Sequence, residues 1–351
     1  MDVAHSNAAS RARPRFKAVW RGCLIAAVLL VLVCLVLATW LTGPSKSLSA
    51  ELRERSEKEG LALASYGRVE PFHHAPIDLP YTPYYTFASP SGVIARMVAS
   101  GDDRCPDPII VRSPDGHLWQ LPGGVLNGTG DVSADGLKFA FAGGYKPPGT
   151  GVLATPENTS RWTTGLHLFD RESGTVKLVF WEYPPPFVTR ISWAPSGKAL
   201  VYDRSGVIYI YDVEKGTSRS IAQGWAPEWS PDGSRIAFMS VKQEASMIDL
   251  ASMSVQAIRP GHQIVDGPRW SPDSRYLTFA RSVGLWEDLL HGRFLIDGPD
   301  DSLALVYRVS DKALYWDWDE YPGGTFWVRD YREFLKATNS PLAVRPCDST
   351  D

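Results

Sequence analysis

Short apolar runs of alternating pattern recur along this chain, and each follows a polar turn. Val93–Met97, Leu137–Phe141, Lys198–Tyr202, Arg235–Phe238 and Arg275–Phe279 set large apolar residues against small or polar ones over four or five positions. Period-two alternation over so short a span predicts half-buried antiparallel strands. Further strands of this kind are predicted at Leu166–Asp170, Thr175–Phe180, Val207–Asp212, Ala245–Leu250 and Ser254–Ile258, with tight turns at Arg171–Gly174 and Val213–Gly216. The turn phrase is clearest at Ser230-Pro231-Asp232-Gly233 and Ser271-Pro272-Asp273-Ser274. Looser copies stand at Trp193-Ala194-Pro195-Ser196-Gly197, Ser133-Ala134-Asp135-Gly136 and Ser89-Pro90-Ser91-Gly92. Pro presets φ, Asp bonds its own backbone and Gly tolerates positive φ, so these residues specify turns. Their aspartates sit in separate turns and do not make a carboxylate cluster.

With the Pro, or the residue in its place, as register mark, the copies fall at 90, 134, 195, 231 and 272. The undisturbed period is about 40 residues, the size of one four-stranded propeller blade. One longer spacing holds Gly143–Thr163, rich in Gly, Pro and Thr, which reads as an inserted loop. Ser113-Pro114-Asp115-Gly116 falls off the period and reads as a hairpin turn within a blade. The expected fold class is all-β, a β-propeller of five to six four-stranded blades. The sixth blade would come from Leu61–Val69 with Thr325–Val328. Trp193, Trp229 and Trp270 are expected to pack between blades. The phrase Trp-Ser-Pro-Asp-Gly, a basic residue, a short apolar strand, then a strand such as Val207–Asp212 and a Gly turn, resembles the TolB-type (PD40, WD40-like) β-propeller repeat. The resemblance covers roughly residues 80–318. Ala134 and Ser274 depart from the pattern at the Pro and Gly positions. The resemblance implies the fold and leaves function open, because such propellers serve as scaffolds, binding modules, enzyme caps and occasionally enzymes.

One segment has a different periodicity. Gly22–Leu41 is an uncharged apolar run of 20 residues, about 30 Å long as a helix and enough to span a bilayer. Trp20 and Trp40 bracket it, and Arg11, Arg13, Arg15, Lys17 and Arg21 precede it. The positive-inside rule then puts residues 1–21 in the cytoplasm and the propeller, residues 65–351, outside it. A cleaved signal peptide is the alternative, but its apolar core should span only about 7–15 residues. The expectation is a single N-terminal transmembrane helix over 22–41, with a periplasmic or extracellular ectodomain. Residues 42–64 follow, where the alternating charges of Glu51–Glu59 predict a solvated helical stalk.

Charge and cysteines narrow the function classes. The formal net charge is −3; the first 21 residues carry five basic groups and one acidic, so the remainder carries −7. A mildly acidic ectodomain argues against nucleic acid as a partner. Cys23 and Cys34 fall in the apolar run. Cys105 and Cys347 lie outside it, near the two ends of the ring, and are expected to form a disulfide there.

Catalytic motifs are missing from the sequence. There is no Gly-x-Ser-x-Gly, no His-Glu-x-x-His, no Cys-x-x-Cys and no phosphate-cradling Gly loop. No cofactor, metal site or catalytic residue is assigned, and the reading leans away from an enzyme. His73-His74 is a poor metal pair if in a strand, since adjacent residues there face opposite ways. Two stretches remain as ligand-binding candidates. Arg281–Leu303 is an insertion with a predicted amphipathic helix over Gly284–His291, carrying Trp286, Glu287 and Asp288. Tyr315–Tyr321 alternates Trp316 and Trp318 against Asp317 and Asp319, a face that could stack a sugar or meet a cationic peptide. The bland reading of the second stretch is the outer strand of the last blade. These features point to a protein- or peptide-binding scaffold in a cell-envelope complex. The alternative is a funnel site for a small ligand or carbohydrate, with or without catalysis.

Overall fold

The computed structural model describes residues 24–31, 34, 45–65, 68–73, 77–78, 85–88, 94–97, 109–112, 115–146, 163–181, 188–258, 264–282, 302–316 and 326–339. The chain divides into two units, Met1–Ser45 and Lys46–Asp351. In the first, residues 24–31 and 34 are helical and their side chains are exposed. Among the described residues no helix is long and apolar enough to cross a membrane. The rest of the apolar run lies outside them, as do Cys105, Cys347 and the helix expected at Gly284–His291.

The second unit is built of antiparallel strands in four-stranded groups. Helix α1 (Lys46–Glu59) leads into β1 (Ala62–Ser65), β2 (Arg68–Pro71) and β3 (Ile77–Asp78). The late strand β23 (Phe326–Val328) pairs with β1, so sheet I has the order β23-β1-β2-β3. This is the sixth group expected from the two ends of the repeat region. Sheet II holds β4 (Tyr85–Ala88), β5 (Ile94–Met97), β6 (Ile109–Arg112) and β7 (Leu118–Gln120). Sheet III holds β8 (Gly124–Val132), β9 (Lys138–Lys146), β10 (Thr163–Asp170) and β11 (Thr175–Trp181). Strands β9 and β10 extend into the segment expected to be loop, leaving 147–162 between them. Sheets IV and V share a strand. β12 (Ile191–Trp193), β13 (Ala199–Arg204) and β14 (Val207–Asp212) pair in turn up to the first half of β15 (Thr217–Trp229). The second half of β15 pairs with β16 (Arg235–Ser240), followed by β17 (Ala245–Asp249) and β18 (Ser254–Ala257). Sheet VI holds β19 (Ile264–Trp270), β20 (Tyr276–Ser282), β21 (Ser302–Arg308) and β22 (Leu314–Trp316). Helix α2 (Tyr331–Asn339) buries Tyr331 and Phe334 against Ala62, Ala64 and Val69 of sheet I.

The first strands of successive sheets pack against one another: β4 on β8, β8 on β12, β12 on β15, β15 on β19, and β19 on β23. Apolar clusters fill the spaces between sheets. Phe139, Phe141 and Phe169 form one, and Leu277, Phe279 and Leu305 with Ala237 another.

The turn phrase acts as its residues dictate. Ser230 Oγ donates to Asp232 Oδ1 at 2.6 Å, Asp232 Oδ1 accepts the Ser234 N–H at 2.9 Å, and Ser230 Oγ accepts the Arg235 N–H at 2.9 Å. Ser133 with Asp135 and Ser271 with Asp273 repeat the arrangement. Burial raises the Asp232 pKa, but the Ser230 and Ser234 bonds outweigh it and leave the carboxyl below its ordinary value. Ser274 stands where the repeat has Gly and still adopts the left-handed conformation, φ 60°. Its hydroxyl accepts the Asp232 N–H of the neighbouring sheet's turn at 2.9 Å. That bond is what a Gly there could not make, and it offsets the strain of a side chain at positive φ.

The charged stretch after the apolar run is a helix, but it is not a solvated stalk. Leu48 and Leu52 of α1 are fully buried against sheets I and VI. These two leucines, one turn apart among charged residues, give the helix a narrow apolar face that seats it on the sheets.

Ser274→Gly and Ser274→Ala both remove the hydroxyl, but Ala alone keeps the backbone strain. Ser274→Ala should therefore be less stable than Ser274→Gly by about 1 kcal/mol. Urea unfolding with unchanged slope measures the difference; equal midpoints would contradict the account of this turn.

Candidate functional site

The inner strands carry a polar network that repeats from sheet to sheet. In sheets III, IV and V one polar residue of the inner strand, just before the Trp or the Val132 in its place, reaches the next sheet. Asp131 Oδ2 accepts the Trp193 backbone N–H at 2.8 Å, Ser192 Oγ accepts that of Trp229 at 3.0 Å, and Glu228 Oε1 accepts that of Trp270 at 2.8 Å. The indoles add a second bond. Trp193 Nε1 donates to the Asp131 carbonyl at 3.1 Å, Trp270 Nε1 to that of Glu228 at 3.2 Å, and Trp327 Nε1 to that of Arg269 at 3.2 Å. Trp229 departs from this and donates to Gly233 within its own turn. These bonds set matching positions of β8, β12, β15, β19 and β23 side by side, and the turns that follow β15 and β19 also meet, so these strands share one direction.

Arg190 is the centre of the network. Its side chain is buried and spans from sheet IV across sheet V to sheet VI. Nη1 donates to the Pro268 carbonyl at 2.6 Å and lies 3.5 Å from both the Ala226 carbonyl and Glu228 Oε2. Nη2 meets Asp266 Oδ1 and the Gly267 carbonyl, each at 3.4 Å. The backbone makes room: a Cβ at Gly267 would lie 2.3 Å from the Ala226 Cβ and 3.3 Å from Arg190 Nη1. Ala226 holds a left-handed conformation, φ 50°, at the irregularity of β15. Its N–H donates to Thr189 Oγ1 at 2.8 Å, and Thr189 donates to the buried Asp203 at 2.8 Å. Asp203 also accepts the backbone N–H groups of Thr189 and Arg190.

Burial governs the protonation of these groups. It lowers the Arg190 pKa to about 10, with Arg269 adding repulsion and Asp266, Glu228 and Asp203 opposing it. Arg190 therefore stays charged at neutral pH. Burial raises Asp131 to about 7, against the N–H bonds from Trp193 and Val132; Glu228 pushes it further up and Arg269 pulls it down. Asp203 is raised by burial as well, against its bonds to Thr189 and Arg190. His167, outside this network, is stacked on Phe141 and is lowered to about 4 by burial, so it is neutral. Arg190 and Asp203 direct their polar atoms at protein partners, so the network ties sheets together and offers little to an outside ligand. Among the described residues no group of three or more His, Cys, Asp or Glu is placed to hold a metal.

The common strand direction also defines two faces. On one, every described connection is a tight turn: 133–137, 171–174, 194–198, 213–216, 230–234, 250–253, 271–275 and 309–313. Helix α1 sits on this turn face, where Arg55 meets Asp273 and Arg308 meets Glu51. On the other, β5 ends and β6 begins, β9 ends and β10 begins, β20 ends and β21 begins, and β22 ends before β23 begins. The described strand ends that flank 98–108, 147–162, 283–301 and 317–325 therefore lie on that second face, the loop face. Trp286, Glu287 and Asp288 belong to one of these stretches, and Asp317 and Asp319 to another; all five lie outside the described residues. Trp316 ends β22, the outer strand of sheet VI. The end of β20, the start of β21 and the end of β22, which flank the two candidate stretches, share one end of sheet VI. Exposed Trp181, Val241 and Val265 stand at strand ends on the same face.

The network itself is absent from the sequence-level candidates, although part of it left a signal. The residue before the inner-strand Trp, or before Val132 in its place, is polar in four of the five copies: Asp131, Ser192, Glu228 and Arg269, with Phe87 at that position in the first. Arg190 and Asp203 carry no such repeat mark.

No family model matches the chain. Dipeptidyl-peptidase 5 of Porphyromonas gingivalis is 26% identical over 155 residues, which cover 36% of this chain and 22% of the peptidase. The match thus spans about a fifth of that relative's length. Among solved structures, TolB of Acinetobacter baumannii aligns over 76% of this chain and 66% of its own, with a TM-score of 0.53 and 15% identity. A TolB structure from Agrobacterium tumefaciens aligns over 73% of this chain and 87% of its own, with a TM-score of 0.47 and 16% identity. The fold is therefore a TolB-like β-propeller, as the repeat implied.

Arg190→Met removes the guanidinium shared by the Ala226, Gly267 and Pro268 carbonyls, Glu228 and Asp266 and should cost about 3–5 kcal/mol. Arg190→Lys should recover little of this, because a point charge cannot reach Pro268 and Asp266 together. Thermal unfolding checks both; a tolerated methionine would contradict the role of the guanidinium. Asp131 gives a pH signature. Its folded pKa lies above its unfolded value of 3.8, so its stabilising contribution is full below about pH 4 and is lost as pH rises through about 7. The stability difference between wild type and Asp131→Asn should fall across that window and level off above it. A flat difference would contradict the burial of this carboxyl.

Proposed function

We propose that this protein is a membrane-anchored, extracytoplasmic β-propeller whose six sheets close into a ring and whose loop face binds a protein or peptide of the cell envelope. The observation that carries the reading is the asymmetry of the faces. Tight turns and a seated helix occupy one, while the strand ends that flank the long connections lie on the other. Recognition concentrates on loops held by a rigid scaffold, and the inter-sheet ties make this scaffold rigid. The likeness to TolB structures supports the scaffold. The anchor rests on the apolar run with its basic N-terminal flank.

A peptidase activity is not adopted, because the match to the peptidase is short and the sequence has no Gly-x-Ser-x-Gly. The second reading is a small-ligand or carbohydrate funnel on the same loop face. It rests on the aromatic and acidic side chains of Trp286, Glu287, Asp288, Trp316, Asp317 and Asp319, which suit such a ligand.

Proximity labelling from the propeller in intact cells tests the reading. Replacing residues 284–300 by a short Gly/Ser turn should lower labelling of specific envelope neighbours by about tenfold or more. Lys198→Ala with Lys215→Ala on the turn face should leave it unchanged. Neighbours that survive the loop replacement, or vanish with the turn-face change, would contradict it. Alkaline extraction should leave the full-length chain in the membrane pellet and release residues 45–351; release of both would remove the anchor from the account.

A further inference from the structure

Among the described residues the side-chain ties between inner strands run from sheet III to sheet VI and stop there. Asp131, Ser192 and Glu228 each accept an N–H from the following sheet. The equivalent residue of sheet VI is Arg269, and a guanidinium has no acceptor. It turns back toward Glu228 at 3.4 Å, and its Nε is buried without a hydrogen bond. The Trp327 indole still crosses from sheet I to sheet VI, but the side-chain tie is missing there.

Helix α1 bridges that seam from outside. On sheet VI, the Glu51 carboxylate accepts from Arg275 at 2.5 Å, from the Tyr276 hydroxyl and from Arg308. Arg55 donates to Asp273 at 2.6 Å and lies over the Tyr276 ring. On sheet I, the Asp330 and Tyr331 N–H groups donate to the Glu59 and Gly60 carbonyls at 3.2 and 2.9 Å. Between them, Leu48 and Leu52 complete a core with Leu61 and Leu63 of sheet I and Tyr276, Ala304 and Val306 of sheet VI. Gly60 admits the close approach: it has φ 66°, and a Cβ there would lie 2.7 Å from the Asp330 Cα.

We infer that α1 is a releasable clasp for the seam between sheets VI and I, supplying the connection that Arg269 cannot make. Its hold combines the two leucines with a cluster of charged groups: Glu51 with Arg275, Arg308 and Tyr276, and Arg55 with Asp273. Its release loosens the two terminal sheets and leaves sheets IV and V intact. This inference stands on the described residues alone, independent of any partner on the loop face.

Hydrogen exchange read by mass spectrometry on the full-length chain tests it. In Glu51→Gln, exchange over residues 62–71 and 326–339 should rise about tenfold or more, while residues 199–249 keep wild-type protection. Wild type at about 1 M salt, which screens the exposed Arg275 but acts less on the part-buried Arg308 and Arg55 pairs, should show a smaller rise over the same residues. Unchanged exchange at the seam under both conditions, or an equal rise in all sheets, would overturn the clasp.

Discussion

The inner strands of this molecule are buried between neighbouring sheets, so each polar backbone group there needs a partner. A buried N–H left unpaired costs about 1–3 kcal/mol. The chain answers with one device: a polar side chain from the preceding sheet accepts the backbone N–H of the inner-strand Trp, and the indole bonds back to the same strand. The device fixes the relative height of adjacent sheets. It sets a common direction for the inner strands, and from that direction follow the two faces, the position of α1 and that of the strand ends flanking the long connections. Arg190 adds a second layer above it, joining three sheets through one guanidinium.

Much of this architecture was legible because it repeats. The phrase around Ser230 and Ser271 names its own turn, and its spacing counts the sheets. The pairing of the chain's early and late strands, β1 with β23, was legible as two leftover fragments that needed each other. What escaped was local and singular. The charges of α1 read as a solvated face because Leu48 and Leu52 are two residues among many charges, and only the sheets they meet make them a docking surface. Arg190 is one arginine in a sequence with many. Its partners are mostly carbonyls contributed by two other sheets, which no pattern in the sequence marks. Ser274 looked like a defect in the repeat and proved to be an added bond between turns.

The end of β20, the start of β21 and the end of β22, which flank the stretches holding Trp286 and Asp317, share one end of sheet VI. The charged groups that burial perturbs most, Asp131 and Arg190, belong instead to the ties. Perturbed titration commonly marks a reactive site. Here it marks the joints of the scaffold.

The central claim is that polar ties weld the sheets into one cooperative body rather than a stack of nearest neighbours. Differential scanning calorimetry of the full-length chain tests it most directly. Agreement of the calorimetric and van't Hoff enthalpies in a single transition is the predicted result. Separate transitions, or a van't Hoff enthalpy well below the calorimetric one, would mean that the sheets unfold piecemeal, as in a linear repeat array, and would contradict the account.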